Sequence, residues 1–500
     1  MHTTGLQGKS GDLLALVAGA TLPLAFAPFG WYPLALVSPL GLLLCWHDAA
    51  PGRATWRGWL FGLGMFGLGV SWIEISVHQF GIPVRIFSVG VTLALVMFLG
   101  LYPALAGWLA ARLRPAGGGA GAVHALVLLP ALWVVLEWLR GWLLTGFPWL
   151  DLGYSQIDSP LAGYAPLAGV YGVSWTTVLS AALLYYLLVG GRGRILTVLA
   201  LLALWLGGWA LGQRQWGHTD GRDMHVALIQ GAVPQARKWL PSELRPTQAL
   251  YWRLTREHPE AELILWPETA IPAFMDRIGD YLSGIHTILK KQGSTLVLGL
   301  PVRTDRTHYY NAIVALDDRP QAYYKRHLVP FGEYLPLAGL LRGPLDALKI
   351  PMSDFSAGSA AQPLLHADGV MLGVSICYED AFGSEVSQAL PQAQLLVNIS
   401  NDAWFGDSLA PHQHLQIARM RALENSRYLL RATNTGISAV IDPHGRVIAR
   451  APQFQPAALA AVVHRASGIT PYARFRNVPV ISLVLVLIGL VVVRRLVRRD

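Results

Sequence analysis

Three stretches of this 500-residue chain carry side chains suited to nucleophilic chemistry, and each sits where an apolar, strand-like run ends. The run Val370–Ile376 ends on Cys377, followed at once by Tyr378, Glu379 and Asp380, which is how a nucleophile is presented at the tip of a buried strand. The run Leu263–Trp266 stops at Pro267-Glu268-Thr269, leaving a carboxylate beside a tryptophan as a usable proton acceptor. A third run closes on Tyr323-Tyr324-Lys325, and Glu333 follows on a loop shaped by Pro330, Gly332 and Pro336 that can fold back toward the ammonium. Each stretch also has a plainer reading. A buried free cysteine is usually a small hydrophobe, an isolated acid at a strand end is a cap or a surface charge, and Lys325 with Glu333 makes a surface salt bridge. The chain has only two cysteines, Cys45 and Cys377, which the placement below keeps on opposite sides of a membrane or inside it, so they do not pair.

What must position these residues follows from composition. Hydrophobic residues make up 53% of the chain and charged residues 14%, with a mean hydropathy of +0.40, so much of its surface faces lipid. The net charge of +9 does not point to nucleic acid, because the arginines sit beside apolar runs, where they orient membrane helices. Runs long enough to cross about 30 Å of hydrocarbon recur at 13–29, 31–46, 59–77, 86–110, 123–144, 161–189 and 195–211, with an eighth at 478–493. If all eight span, Lys9, Arg53, Arg57, Arg112, Arg114, Arg192, Arg194, Arg494, Arg495, Arg498 and Arg499 share one side. The positive-inside rule then puts both termini in the cytoplasm and the long segment between spans seven and eight outside it.

Run 13–29 is open to reading as a signal peptide, since Ala25-Phe26-Ala27 looks like a cleavage site; Pro28 and the apolar run behind it favour retention. Gly62-x-Gly64-x-x-Gly67 matches a dinucleotide fingerprint, but inside a span with no preceding strand it reads as close helix packing. Glu74, Glu137 and Arg140 read as structural charges, and residues 115–121 as a glycine-rich linker.

Between the seventh and eighth runs the texture changes to short β-rich runs alternating with helical patterns near 247–257, 277–291 and 412–430, the signature of a layered α/β fold. The division expected is a seven-span membrane domain over 1–213, a catalytic domain over 214–476, and an eighth span with a basic tail over 477–500. Arg419, Arg421, Glu424, Arg427 and Arg431 read as the solvated face of a helix. His412-Gln413-His414 could mimic a metal pair, but no third ligand of suitable spacing accompanies it, so no metal is expected.

Glutamate, lysine and cysteine at three strand ends, in that order, resemble the nitrilase superfamily across residues 214–476. With seven apolar runs before it and one after, the whole chain is similar to the apolipoprotein N-acyltransferase family. The stretches that carry the likeness are Trp266-Pro267-Glu268-Thr269, Lys325 through Pro336, Cys377-Tyr378-Glu379, Asn401-Asp402-Ala403-Trp404-Phe405-Gly406, Gln230-Gly231 and Lys238-Trp239. Ala232 departs from it, standing where the family commonly has asparagine.

The resemblance implies a membrane helical bundle of eight spans bearing an extracytoplasmic, nitrilase-like α-β-β-α sandwich. It implies Glu268 as general base, Lys325 as oxyanion stabiliser and Cys377 as nucleophile, with Glu333, Tyr378 and Glu379 in support and Trp239, Trp404 and Phe405 at the substrate. The reaction implied takes an acyl chain from a phospholipid, holds it as a thioester, and passes it to the α-amine of a diacylated lipoprotein. No cofactor is implied, nor nucleic acid, and the expected protein is a monomer of the bacterial inner membrane with a periplasmic catalytic domain. Segment 337–352 and Trp404-Phe405 read equally as lid elements or as loop packing. Two rivals remain at this point: a membrane-tethered amidase using the same three residues, and a transporter with an external binding domain.

Overall fold

The structure, a computed structural model, describes residues 8–81, 84–115, 121–189, 193–335 and 355–497. Segment 337–352, most of the 115–121 linker, Arg192, Arg498 and Arg499 lie outside the described residues. The chain divides into two compact units, one of Met1–Val77, Val84–Arg214 and Phe475–Asp500, the other of His78–Pro83 and Gln215–Arg474.

The first unit is helical. Among the described residues, four helices are long and apolar enough to cross a membrane: Arg85–Arg112, Pro160–Val189, Arg194–Gly212 and Val478–Val497. A fifth counts if Pro51–Gly69 and Ile73–Phe80, bent by 59°, make one span. Of the other expected runs, 13–29 is the helix Lys9–Thr21 followed by a 3-10 turn, 31–46 holds the 13-residue helix Leu34–Trp46, and 123–144 is broken near Gly141. Proline and glycine interrupt these runs where hydropathy alone reads them as continuous. The fingerprint glycines pack helices as expected: a Cβ on Gly62 would lie 2.5 Å from Gly100 Cα, and one on Gly64 2.3 Å from Leu16 O. Arg140 bonds Asp151 at 2.5 Å, while Glu137 accepts from Trp133 Nε1 and the Leu152 N–H, so each has its own protein partners.

Among the described residues, the second unit has twelve strands: β1 (His218–Gln230), β2 (Leu263–Trp266), β3 (Thr295–Arg303), β4 (Tyr309–Leu316), β5 (Gln321–Tyr324), β6 (Leu365–Ala367), β7 (Val370–Ile376), β8 (Leu395–Ser400), β9 (Leu429–Thr433), β10 (Ala439–Ile441), β11 (Val447–Arg450) and β12 (Ala457–Ser467). They form two six-stranded sheets, ordered β12-β1-β2-β3-β4-β5 and β11-β10-β9-β8-β7-β6. The period-2 alternation of each strand sorts its residues between two faces. Val226, Leu228, Leu265 and Val297 of the first sheet meet Leu372, Ile376, Val397 and Leu430 of the second in one core. The opposite faces are covered by α1 (Leu244–Thr255) and α2 (Gly279–Gln292) on one side and α3 (Leu409–Asn425) on the other, giving four layers, α-β-β-α. β1, β2 and β3 run parallel, as do β7, β8 and β9, so several strands of each sheet deliver their carboxyl ends to one edge.

Two sequence expectations change here. The helix expected over 412–430 ends at Ser426, whose φ of 49° turns the chain out, and 429–433 is a central strand instead. The basic face is not solvated: Arg421, Glu424, Arg427 and Arg431 are each 0% exposed. Arg421 pairs with Glu424, one helical turn on, at 3.2 Å, and Arg427 donates to the carbonyls of Ala393 and Gly468, so each charge is buried with a bonding partner. Ala232 has φ 51°, in the left-handed region that asparagine tolerates better than alanine, and its N–H bonds the Asn434 carbonyl at 2.9 Å.

Candidate active site

Glu268, Lys325 and Cys377 each stand just beyond the end of a strand. Glu268 follows β2 through a turn in which Thr269 takes φ 47°. The turn lies so close to β3 that a Cβ on Gly299 would sit 2.6 Å from Pro267 O and 2.7 Å from Glu268 Cα, so only glycine admits it. Lys325 follows β5, and Cys377 follows β7 with φ 50°, a left-handed conformation that costs a non-glycine residue roughly 1–2 kcal/mol.

Lys325 is 1% exposed and sits between two carboxylates, 3.4 Å from Glu268 and 2.8 Å from Glu333. Asn311, at the beginning of β4, donates through Nδ2 to the same pair, at 2.7 Å to Glu268 and 2.9 Å to Glu333. Burial works to lower the Lys325 pKa, but Glu333 and Glu268 more than offset it, so the ammonium is held well above the usual lysine range. Burial pushes the Cys377 thiol up, Glu268 pushes it further, and Lys325 pulls it back. The charges of Glu268 and Lys325 thus both act on the Cys377 sulfur. Glu333 folds back as its loop allows, its second oxygen taking the Val329 N–H at 2.8 Å.

Glu379 ties two of these strand ends together. Its carboxylate accepts the N–H groups of Arg326 (2.7 Å) and His327 (3.2 Å), just after Lys325, and that of Ile376 (2.7 Å), just before Cys377. Tyr323 Oη donates to both its oxygens at 3.1 Å. Burial raises its pKa and the backbone donors oppose that. One buried carboxylate thus sets the ammonium's strand against the sulfur's. Tyr378 packs its ring edge-on to Phe382 at 5.2 Å and His327 at 5.8 Å between centroids, beside the nucleophile's turn.

The residues expected at the substrate lie on two loops. Trp239, 41% exposed, caps the short helix Gln235–Lys238, and Trp404 and Phe405 lie on the 3-10 turn Asp402–Phe405. Trp404 meets Phe80, a residue of the stretch that clusters with this unit, at 4.7 Å between ring centroids.

Several side chains near the site were given no role there by the sequence. Lys238 is 2% exposed and donates to the Glu268 carbonyl at 3.2 Å; burial brings it down to about 8, against the pull of Glu268. On the other side of Cys377, Asp380, Asp402, His414 and Arg431 are buried together. His414 contacts Asp380 and Asp402 at 2.9 Å each, and Arg431 bonds the same two carboxylates at 3.1 and 3.0 Å. Burial and Arg431 work to lower His414, yet the two aspartates push it up to about 9. Asp402, although burial works to raise it, is held below the usual carboxylate range by His414 and Arg431. His414 thus lies between the Asp380 and Asp402 carboxylates. The available signal was a polar residue interrupting an apolar strand: Asn311 before 312–316, Asn398 within β8, and Arg431 within β9.

A family model described as Apolipoprotein N-acyltransferase N-terminal domain matches residues 18–183, and one described as Carbon-nitrogen hydrolase matches residues 225–468. The chain is 47% identical to an apolipoprotein N-acyltransferase of Methylococcus capsulatus over 97% of this chain and 96% of that one. It is 44% identical to one of Azotobacter vinelandii, with 98% and 96% covered. Among solved structures, a carbon-nitrogen hydrolase from Helicobacter pylori aligns over 48% of this chain and 88% of its own, at 16% identity and a TM-score of 0.37.

Proposed function

The chain belongs to the apolipoprotein N-acyltransferase family, and from that premise we propose that it moves a fatty acyl chain from a phospholipid to the free α-amine of a diacylglyceryl-cysteine at a lipoprotein N-terminus. The observation that carries this reading is the buried Lys325 ammonium held between Glu268 and Glu333, with the charges of Lys325 and Glu268 both acting on the half-buried Cys377 thiol.

In the first half-reaction the Cys377 sulfur attacks the ester carbonyl carbon while its proton passes to Glu268. A free thiol of pKa about 8.5 is only a few per cent ionised at neutral pH, and a buried one less, so transfer in step with attack removes the limit. The oxyanion is steadied by Lys325 and backbone N–H donors. As the intermediate collapses, the lysophospholipid oxygen leaves with the proton from Glu268, and a thioester remains on Cys377. In the second half the acceptor's amine attacks that carbonyl, Glu268 takes the amine proton, and the departing sulfur recovers it. An amide is formed and the free thiol restored. Because the thioester stores the activation, neither ATP nor a metal enters. Glu333 orients Lys325, Tyr378 and Glu379 support the nucleophile's turn, and Trp239, Trp404 and Phe405 border the acyl chain.

The setting belongs to the same proposal: eight spans in the bacterial inner membrane over 1–213 and 477–500, both termini cytoplasmic, the catalytic domain 214–476 periplasmic, and a monomer. Drawing an acyl chain wholly into water costs about 0.8 kcal/mol per methylene, which a site open to the bilayer avoids. Mass spectrometry of the protein isolated from membranes tests the reading. A fatty-acyl adduct on Cys377, released by hydroxylamine and missing in Cys377→Ser, is expected; an amidase or a transporter carries no such adduct.

A further inference from the structure

The geometry behind Cys377 forms a closed ring of alternating charge, Asp380, His414, Asp402 and Arg431, every member 3% exposed or less. His414 Nδ1 faces Asp402 Oδ1 and Nε2 faces Asp380 Oδ1, each at 2.9 Å, so both ring nitrogens carry hydrogen and the ring is an imidazolium. Nε2 also reaches the Cys377 carbonyl oxygen at 3.3 Å, and Asn398 Nδ2 donates to that oxygen at the same distance. Arg431 in turn grips Asn398 Oδ1, which settles the orientation of the Asn398 amide. Two donors on the ring side therefore hold the carbonyl of the residue whose backbone is in the left-handed region.

A trans peptide is planar, with its C=O and its N–H directed to opposite sides. A Cys377 carbonyl held toward the ring thus turns the Tyr378 N–H away from it. We propose that His414, seated in this ring, is a positioning residue for acyl transfer: with Asn398 it aims the Tyr378 N–H at the oxyanion formed on the Cys377 acyl adduct. The inference rests on the acyl-transfer reading above. His414 contacts no reacting atom in this scheme, and the ring provides its rigidity, since each carboxylate is bonded by both cations and neither cation has one acceptor alone.

Two substitutions separate the two ring nitrogens in the purified full-length enzyme. His414→Gln keeps a donor at the position of Nε2; His414→Asn keeps one only at Nδ1. Two rates are measured on each: acyl-thioester formation from a vesicle phospholipid, which passes through an oxyanion, and alkylation of Cys377 by iodoacetamide, which does not. His414→Asn is expected to lower acylation about 30-fold, less than the roughly 10²–10³-fold lost when an oxyanion donor is removed outright, while alkylation stays within about twofold; His414→Gln is expected to recover most of the acylation. Equal losses in the two variants, parallel losses of alkylation and acylation, or full acylation in His414→Asn would each overturn the proposal. Should neither variant fold, Asn398→Asp sets an acceptor against the same carbonyl at nearly unchanged volume, and the same split between the two rates is required. Absence of any thioester on the wild-type enzyme would instead refute the acyl-transfer reading, and is scored separately.

Discussion

Two buried charge clusters flank Cys377, and they are built on opposite plans. On one side two carboxylates, Glu268 and Glu333, share the single ammonium of Lys325, with Asn311 bridging them. On the other, Asp380 and Asp402 are matched by His414 and Arg431 in a closed ring. In the first, one ammonium is bonded to both carboxylates, while a second, Lys238, reaches only the Glu268 main-chain carbonyl. The second is balanced and each of its charges is doubly held. Proton transfer needs a group whose protonation state is easily changed, and alignment needs groups whose states are not. On the acyl-transfer reading proposed above, the two tasks divide between the two sheets: the cluster at β2, β4 and β5 reacts, and the one at β7, β8, β9 and α3 holds the nucleophile's turn.

That comparison is open to direct attack. The largest effect is expected from Lys325→Met, which leaves Glu268 and Glu333 facing each other with only Asn311 between them. Acyl-thioester formation should fall by about 10³-fold, as for loss of an oxyanion donor in a dry site; a loss under tenfold in a single-turnover assay would remove Lys325 from the chemistry. Next comes the balanced ring. Arg431→Met strands two carboxylates against one imidazolium at 0% exposure, and breaking a buried pair in this way costs about 3–5 kcal/mol. The apparent unfolding midpoint in detergent should drop sharply, and an unchanged midpoint would mean the ring is not the rigid half of the site.

The smallest effect expected is a pH dependence of opposite sign on the two sides. His414 is pushed up to about 9 from an unfolded value near 6.5, facing Asp380, Asp402 and Arg431, so its contribution is complete below about pH 6.5 and is lost as pH rises toward 9. Lys238 is brought down to about 8 from about 10.4, so its burial penalty is present below pH 8 and fades as pH rises toward 10.4. His414→Gln should flatten the falling limb of a midpoint-against-pH profile, and Lys238→Met the rising one. A wild-type profile that rises between pH 7 and 8 would contradict the charged state assigned to His414.

Much of this architecture is readable without coordinates because strand signals are local. Val370–Ile376 and Leu263–Trp266 are apolar runs of the right length bounded by polar turns, and Cys377 and Glu268 stand at their ends in the sequence as they do in space. The stretch 429–433 misled for the same reason: its apolar residues continue a helical pattern, and only Ser426 in the left-handed region breaks it. Hydropathy likewise read continuous runs at 31–46 and 123–144, where proline and glycine shorten or bend the helices.

What the chain's order of residues determined by itself is therefore the layered α/β unit, the apolar helices flanking it, and the three strand ends bearing an acid, an amine and a thiol, since each is written in periodicities of two or of three to four residues. Tertiary structure alone decided that Asn311 would join Glu268 to Glu333 across 43 and 22 positions, and that Arg431 would reach Asp380 across 51. It also decided that arginines with the spacing of a solvated face would be buried at 0% exposure. A charge is stable inside a protein only when it is paired or hydrogen-bonded, and no local period records which distant segment will bring that partner.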